Sequence, residues 1–166
     1  MTDSIRAPHP PPDVLADSER VSWLRLLEER FGIPPATFDG YTLLMPNPKY
    51  LCIVPDDHRP PGDPEPGSTG MVFLRTGTRH PKLTTAAALA FGHAATRNVI
   101  AVDREGAEAF LNRKPVEVSA EAARHCTGLG YVIARHADFI LGLGFYRPAE
   151  SGGVLNSLFP KAWAFS

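Results

Sequence analysis

The sequence predicts an α+β protein, with a small N-terminal α/β subdomain at residues 17–75 and a second, strand-rich unit at residues 76–166. Three observations carry this expectation. Between Gly130 and Gly144, two apolar runs flank a polar reversal at residues 135–138, the pattern of a β-hairpin. From about Ser18 to Phe31, apolar residues recur at helical spacing. Residues 55–68 hold five prolines and four acidic residues and read as a loop or linker. The charge balance changes across that linker. Residues 1–75 carry 7 Lys/Arg against 11 Asp/Glu, and residues 76–166 carry 10 against 7.

The elements follow in order. Residues 1–16 contain Pro8, Pro10, Pro11 and Pro12 and few large apolar side chains, so a disordered or extended tail is expected. Asp17 or Ser18 is placed to cap the first helix. Val21, Leu24, Leu27 and Phe31 share its apolar face, Trp23 and Leu26 widen it, and Gly32 ends it. Pro34 and Pro35 open a turn or one-turn helix that ends near Gly40. Residues 41–45 and 50–54 form a hairpin about Pro46-Asn47-Pro48-Lys49. Residues 71–74 are a strand and residues 76–81 a polar loop. Thr84 or Thr85 caps a slim, alanine-rich helix that Gly92 ends. Residues 98–102 form a strand, and Asp103 caps a helix bearing Ala107, Phe110 and Leu111. Residues 115–118 form a short strand, residues 121–126 suit one helical turn, and residues 154–159 form a last strand or short helix. Gly142 and Gly144 alternate with Leu141 and Leu143 in the returning strand of the 130–144 hairpin. Glycine inside a strand marks a bulge or a close backbone approach. Two readings are open here: a barrel corner, or a surface that another backbone, such as RNA, approaches.

Several classes of chemistry find no support. No Gly-x-Gly-x-x-Gly opens a helix after a strand, and no P-loop is present, so no dinucleotide, S-adenosylmethionine or nucleotide cofactor is expected. No serine sits in a nucleophile elbow. Cys52 and Cys126 form no Cys-x-x-Cys pair, and the six histidines show no metal spacing. Asp56, Asp57 and His58 are adjacent, and adjacent residues rarely converge on one ion. No run reaches the ~18 apolar residues of a membrane helix, and residues 1–17 hold no signal-peptide core. A cytoplasmic protein with no membrane partner is expected.

The cations are more informative. Arg79, His80 and Lys82 precede a helix N-terminus, where unpaired N–H groups favour anions. Arg97 and Asn98 stand at a helix-to-strand junction, and Lys161 lies near Trp163. Such a set suits a phosphate backbone, with an aromatic ring stacking a base.

The second half resembles a PUA domain, a small pseudo-barrel that binds RNA. The matching residues are Lys82-Leu83-Thr84-Thr85-Ala86, Phe91-Gly92-x-x-Ala95-Thr96-Arg97-Asn98-Val99 and Ala109-Phe110-Leu111. They continue with Gly130-Tyr131-Val132-Ile133, Leu141-Gly142-Leu143-Gly144, Gly153-Val154-Leu155-Asn156 and Pro160-Lys161. Their order looks most like the C-terminal region of bacterial rRNA (cytosine-5) methyltransferases. Arg30-Phe31-Gly32-Ile33-Pro34 and Phe38-x-Gly40-Tyr41 look like the segment preceding PUA in those proteins and in related ribosome-biogenesis factors. The catalytic domain and its Pro-Cys motif are absent, so methylation is not implied. The family often places lysines where this chain has Phe145 and Asn156, and a glycine where it has Ala162. The resemblance implies a PUA-like pseudo-barrel at residues 76–166 that binds structured RNA, rRNA or tRNA, without catalysis. Arg79, Lys82, Arg97 and Lys161 would hold phosphates, Asn156 would offer hydrogen bonds, and Asn98 is a further candidate RNA contact. The alternative is a protein–protein adaptor that supplies recognition to a separate RNA-modifying enzyme.

Overall fold

A computed structural model describes residues 13–59 and 69–164. It holds two five-stranded sheets, joined by helices. The first helix, α1 (Asp17–Phe31), buries Leu24, Leu27 and Phe31. Its N-cap is Ala16, which has no side-chain acceptor, so Asp17 and Ser18 lie inside the first turn rather than capping it. There the Asp17 carboxylate favours the positive end of the helix dipole. Gly32 ends the helix at φ 64°, and its N–H donates to the Glu28 carbonyl.

The first sheet runs β1 (Asp13–Val14), β2 (Tyr41–Asn47), β3 (Tyr50–Pro55), β4 (Met71–Arg75) and β5 (Lys82–Leu83), each antiparallel to the next. The expected tail therefore includes a strand: Asp13 and Val14 pair with β2, and Leu15 is buried. The rest of that tail, and residues 60–68 of the expected linker, lie outside the described residues.

The second sheet has the order β6 (Val99–Ala101), β8 (Gly130–His136), β9 (Phe139–Ala149), β10 (Gly152–Ser157) and β7 (Val116–Val118). Only the β6–β8 pair is parallel. The chain makes that crossover through α3 (Arg104–Leu111) and β7. Asp103 caps α3 by accepting the Gly106 N–H at 2.7 Å. Residues 120–125 form turns, and no helix forms over 121–126.

One core cluster spans both sheets, and a second, holding Phe110, Val132 and Leu155, lies between α3 and the second sheet. Leu27, Phe38, Phe73, Leu83, Ala87 and Phe91 pack in a single cluster with Ile133 and Leu143 of the second sheet. Phe38, Phe73 and Phe91 stack edge-on or tilted, with centroids 5.0–5.8 Å apart. Burying each such side chain contributes roughly 1.5–3 kcal/mol. The short helix α2 (Thr85–Phe91) fills the seam, made slim by its alanines. The first sheet thus takes in Lys82 and Leu83, past the residue 76 at which the second unit was expected to begin.

The hairpin of β8 and β9 is longer than its apolar runs suggest, with only Ala137 and Asp138 in the reversal. Register slips after Ala134↔Gly142, leaving Leu141 as an extra residue, and Gly142 takes φ 141°. Gly142 and Gly144 are both buried. A Cβ on Gly144 would meet Leu155 Cδ1 at 2.4 Å and Phe110 Cε2 at 3.2 Å. The glycines therefore serve a barrel corner. The groups that approach Gly144 are Leu155 and the Phe110 ring, which corrects the reading of these glycines as a close approach to RNA.

Candidate nucleic-acid interface

The site begins with a conflict in the first sheet. Arg75 of β4 and Lys82 of β5 are direct cross-strand partners. Like charges in that relation are destabilising. Burial, then the charges of Arg75 and Arg113, hold the Lys82 ammonium below the ordinary lysine range. Among the described residues the ion pairs are Arg104–Glu108 and Arg124–Glu121. No described carboxylate neutralises Arg75, Lys82 or Arg113.

Aromatic rings stand beside these cations. Lys82 Nζ lies 5.9 Å from the Tyr131 ring centroid, and the Arg75 guanidinium lies 5.7 Å from that of Tyr50. Tyr131 and Phe145 pair across β8 and β9 with their rings T-shaped at 5.5 Å. Arg147 places its guanidinium 5.5 Å from the Phe145 ring. Asn156 of β10 is the next cross-strand partner of Phe145. The row Lys82, Tyr131, Phe145, Asn156 thus crosses the molecule from one sheet onto the other. Arg113 sits in the left-handed region at φ 59° and donates to the Phe159 carbonyl. The Phe159 ring packs on Trp163, with centroids 6.0 Å apart. Trp163 is 51% exposed and ends the one-turn helix that starts at Lys161.

The expected site residues separate. Lys82 and Asn156 share the row, and Lys161 lies two residues past Phe159, whose carbonyl accepts from Arg113. Arg79 is exposed in the bend leading to β5. Arg97 is exposed at the end of α1, where it donates to the Glu29 carbonyl at 3.4 Å. Asn98 is fully buried and so is not a surface contact. Its amide donates to the Arg30 carbonyl at 2.6 Å and accepts the Thr127 N–H at 2.9 Å. At the start of α2, where an anion site was expected, one N–H of the first turn is already satisfied. Thr84 takes the Ala87 N–H, and Thr85 packs where a Gly142 side chain would stand.

Arg75, Arg113, Tyr131 and Arg147 are the surface residues that sequence reasoning missed. Alternation along β8 places Tyr131 on the face of Ile133. The opposition of Arg75 and Lys82 needs the β4–β5 register, which no local pattern supplies.

A groove of about 420 Å³ opens between α1 and this corner. Leu26, Arg30, Pro81, Leu129, Tyr131 and Phe145 line it, with Glu29 and His80 at exposed positions beside them. Arg30 is anchored there. Its Nε and one terminal nitrogen donate to the Tyr131 carbonyl at 2.9 and 2.8 Å, and its other terminal nitrogen donates to Thr127 Oγ1 at 3.3 Å. Burial lowers the Arg30 pKa, and the neighbouring Cys126 opposes that shift. Among the described residues no three His, Cys, Asp or Glu converge as for a metal, and no helix is long and apolar enough to cross a membrane.

The two linked sheets, with their bulged, glycine-bearing corner, have a PUA-like fold by comparison with a solved structure. A solved structure of a conserved PUA domain protein from Thermoplasma acidophilum matches this chain with a TM-score of 0.54 at 9% sequence identity. The match covers 92% of this chain and 97% of that one, so it includes the N-terminal sheet. At this identity the likeness is one of fold. No family model matches the chain, and no curated protein does.

Proposed function

We propose that this chain binds structured RNA, without catalysis, through the face that holds Arg75, Lys82 and Arg113. The observation that carries the reading is the cross-strand opposition of Arg75 and Lys82, with the charge of Arg113 also bearing on Lys82 and no ion pair to any of the three among the described residues. A fold keeps such repulsion at a cost, and an anionic ligand removes it. Phosphates are the anions a PUA-like fold suggests. Lys161, Arg79 and Arg97 extend the positive surface, and Asn156 adds a hydrogen-bonding group beside Phe145. The RNA is rRNA or tRNA, and the setting is RNA modification or ribosome biogenesis, as the resemblance to methyltransferase RNA-binding regions implies.

The test is the salt dependence of affinity for a blunt RNA duplex, read by fluorescence anisotropy. Each lost phosphate contact lowers the slope of log affinity against log salt by ~0.9. Lys82→Ala/Arg113→Ala should lower it by about 1.8. An unchanged slope moves the interface elsewhere. A protein–protein adaptor is the second reading, favoured by Phe139, which is 72% exposed at the tip of the β8–β9 hairpin. No RNA binding at low salt, with stoichiometric co-purification of a protein lost in Phe139→Ser, would establish it instead.

A further inference from the structure

We propose that the groove between α1 and the Tyr131–Phe145 corner receives one unpaired nucleobase of a bound RNA, while Lys82 and its cationic neighbours hold the flanking phosphates. This rests on the RNA-binding reading and narrows it to bulged or single-stranded positions.

The groove and the cations suit the two halves of one nucleotide. Its volume of about 420 Å³ lies within the ~300–1,000 Å³ of small-molecule sites. Its walls offer the rings of Tyr131 and Phe145 and the side chain of Leu129, which is 60% exposed. A flat base stacks on such surfaces whatever its identity. The Tyr131 ring that walls the groove is also the ring beside Lys82 Nζ. A base on that ring therefore brings its own phosphates toward Lys82. The polar edge of a base needs donors and acceptors. Arg30 commits three of its five N–H groups to Tyr131 and Thr127, leaving two. Glu29 supplies an exposed carboxylate as acceptor. A paired base cannot enter, because its faces are stacked inside the duplex.

The experiment compares three RNAs on the full chain at low salt by anisotropy: a blunt duplex, the same duplex with one bulged adenosine, and the same with an abasic bulge. The bulged adenosine should bind about tenfold tighter than the other two, the scale of one base stack. Phe145→Ala should bring all three within about twofold. Leu129→Gln, at an exposed position where folding is not at risk, should cut the preference at least threefold. Leu129→Gln should leave affinity for the blunt duplex within about twofold. Equal binding of all three RNAs by the wild type overturns the pocket and leaves the RNA reading standing. A full preference retained in both variants places the base elsewhere and also overturns it. Failure of the wild type to bind any of the three overturns the RNA reading itself.

Discussion

The side-chain amide of Asn98 donates to the carbonyl of Arg30 at 2.6 Å, fastening the start of the second sheet to the last turn of α1. The same side chain accepts the Thr127 N–H, and the Asn98 carbonyl accepts the Ile133 N–H at 2.8 Å. Asn98 holds φ 53°, a left-handed conformation that asparagine tolerates better than most residues. Asn98→Ala should therefore destabilise the fold by about 2–3 kcal/mol, from buried groups left unpaired and a strained backbone. Thermal unfolding should shift down by roughly 4–12 °C. The salt dependence of RNA binding by the folded variant should not change. A normal melting temperature with weakened binding would return Asn98 to the interface.

Gly144 makes the second prediction. Its missing Cβ leaves room for Leu155, Phe110 and the Asn156 carbonyl. Gly144→Ala should cost about 1–3 kcal/mol by overpacking. Gly77→Ala is the control, since the nearest atoms to its Cβ would be those of Lys49, at 3.3 Å and beyond, and should change stability by less than ~0.5 kcal/mol. Urea denaturation of the two variants checks the contrast. Equal midpoints would mean that Leu155 and Phe110 relax freely.

How far the sequence reached follows from these residues. Gly32 and Asp103 end and begin their helices by local rules, and both stand where those rules put them. Whether Gly142 and Gly144 faced solvent or core was not local. It depended on a bulge at Leu141 and on α3 delivering Phe110 to the corner. Lys82 stood out as a cation before a helix, but what distinguishes it is Arg75 across the sheet, a register fact. Asn98 looked like a surface contact because its neighbour Arg97 is charged. The end of α1 and the return of residues 125–127 over the junction together satisfy and bury it.

Tyr146 carries an alkaline prediction. Burial, then the charge of Cys126, raises its pKa, and its hydroxyl donates to the Gly152 carbonyl at 2.8 Å. The folded state holds this proton more tightly than the unfolded chain. The stabilisation is complete below the unfolded tyrosine value, about pH 10, and is lost as pH rises from there toward the raised folded value. Tyr146→Phe should cost about 1 kcal/mol at neutral pH through the lost hydrogen bond. It should also flatten the decline in stability above about pH 10. Denaturation midpoints at neutral and alkaline pH, compared for both proteins, measure this. An identical alkaline decline in the variant would assign the effect to other groups.

Lys82 makes the last prediction, and here the pH dependence reports on binding. Burial and the cations Arg75 and Arg113 lower its pKa. The unfolded chain therefore holds the proton more tightly, so this residue's contribution to stability rises with pH between the lowered value and that of an ordinary lysine. Binding should run the opposite way. A phosphate placed beside Lys82 favours the ammonium, so affinity falls as pH climbs through the lowered value, below the ~10.4 at which an ordinary lysine titrates. Lys82→Arg should remove the fall, because a guanidinium stays protonated throughout this range. Lys82→Ala should also be flat, but at a weaker affinity. Anisotropy titrations with blunt duplex RNA from about pH 7 to 10 distinguish the three proteins. If wild type and Lys82→Arg show the same pH profile, Lys82 does not meet the phosphate, and Arg75 and Arg113 alone would carry the contact.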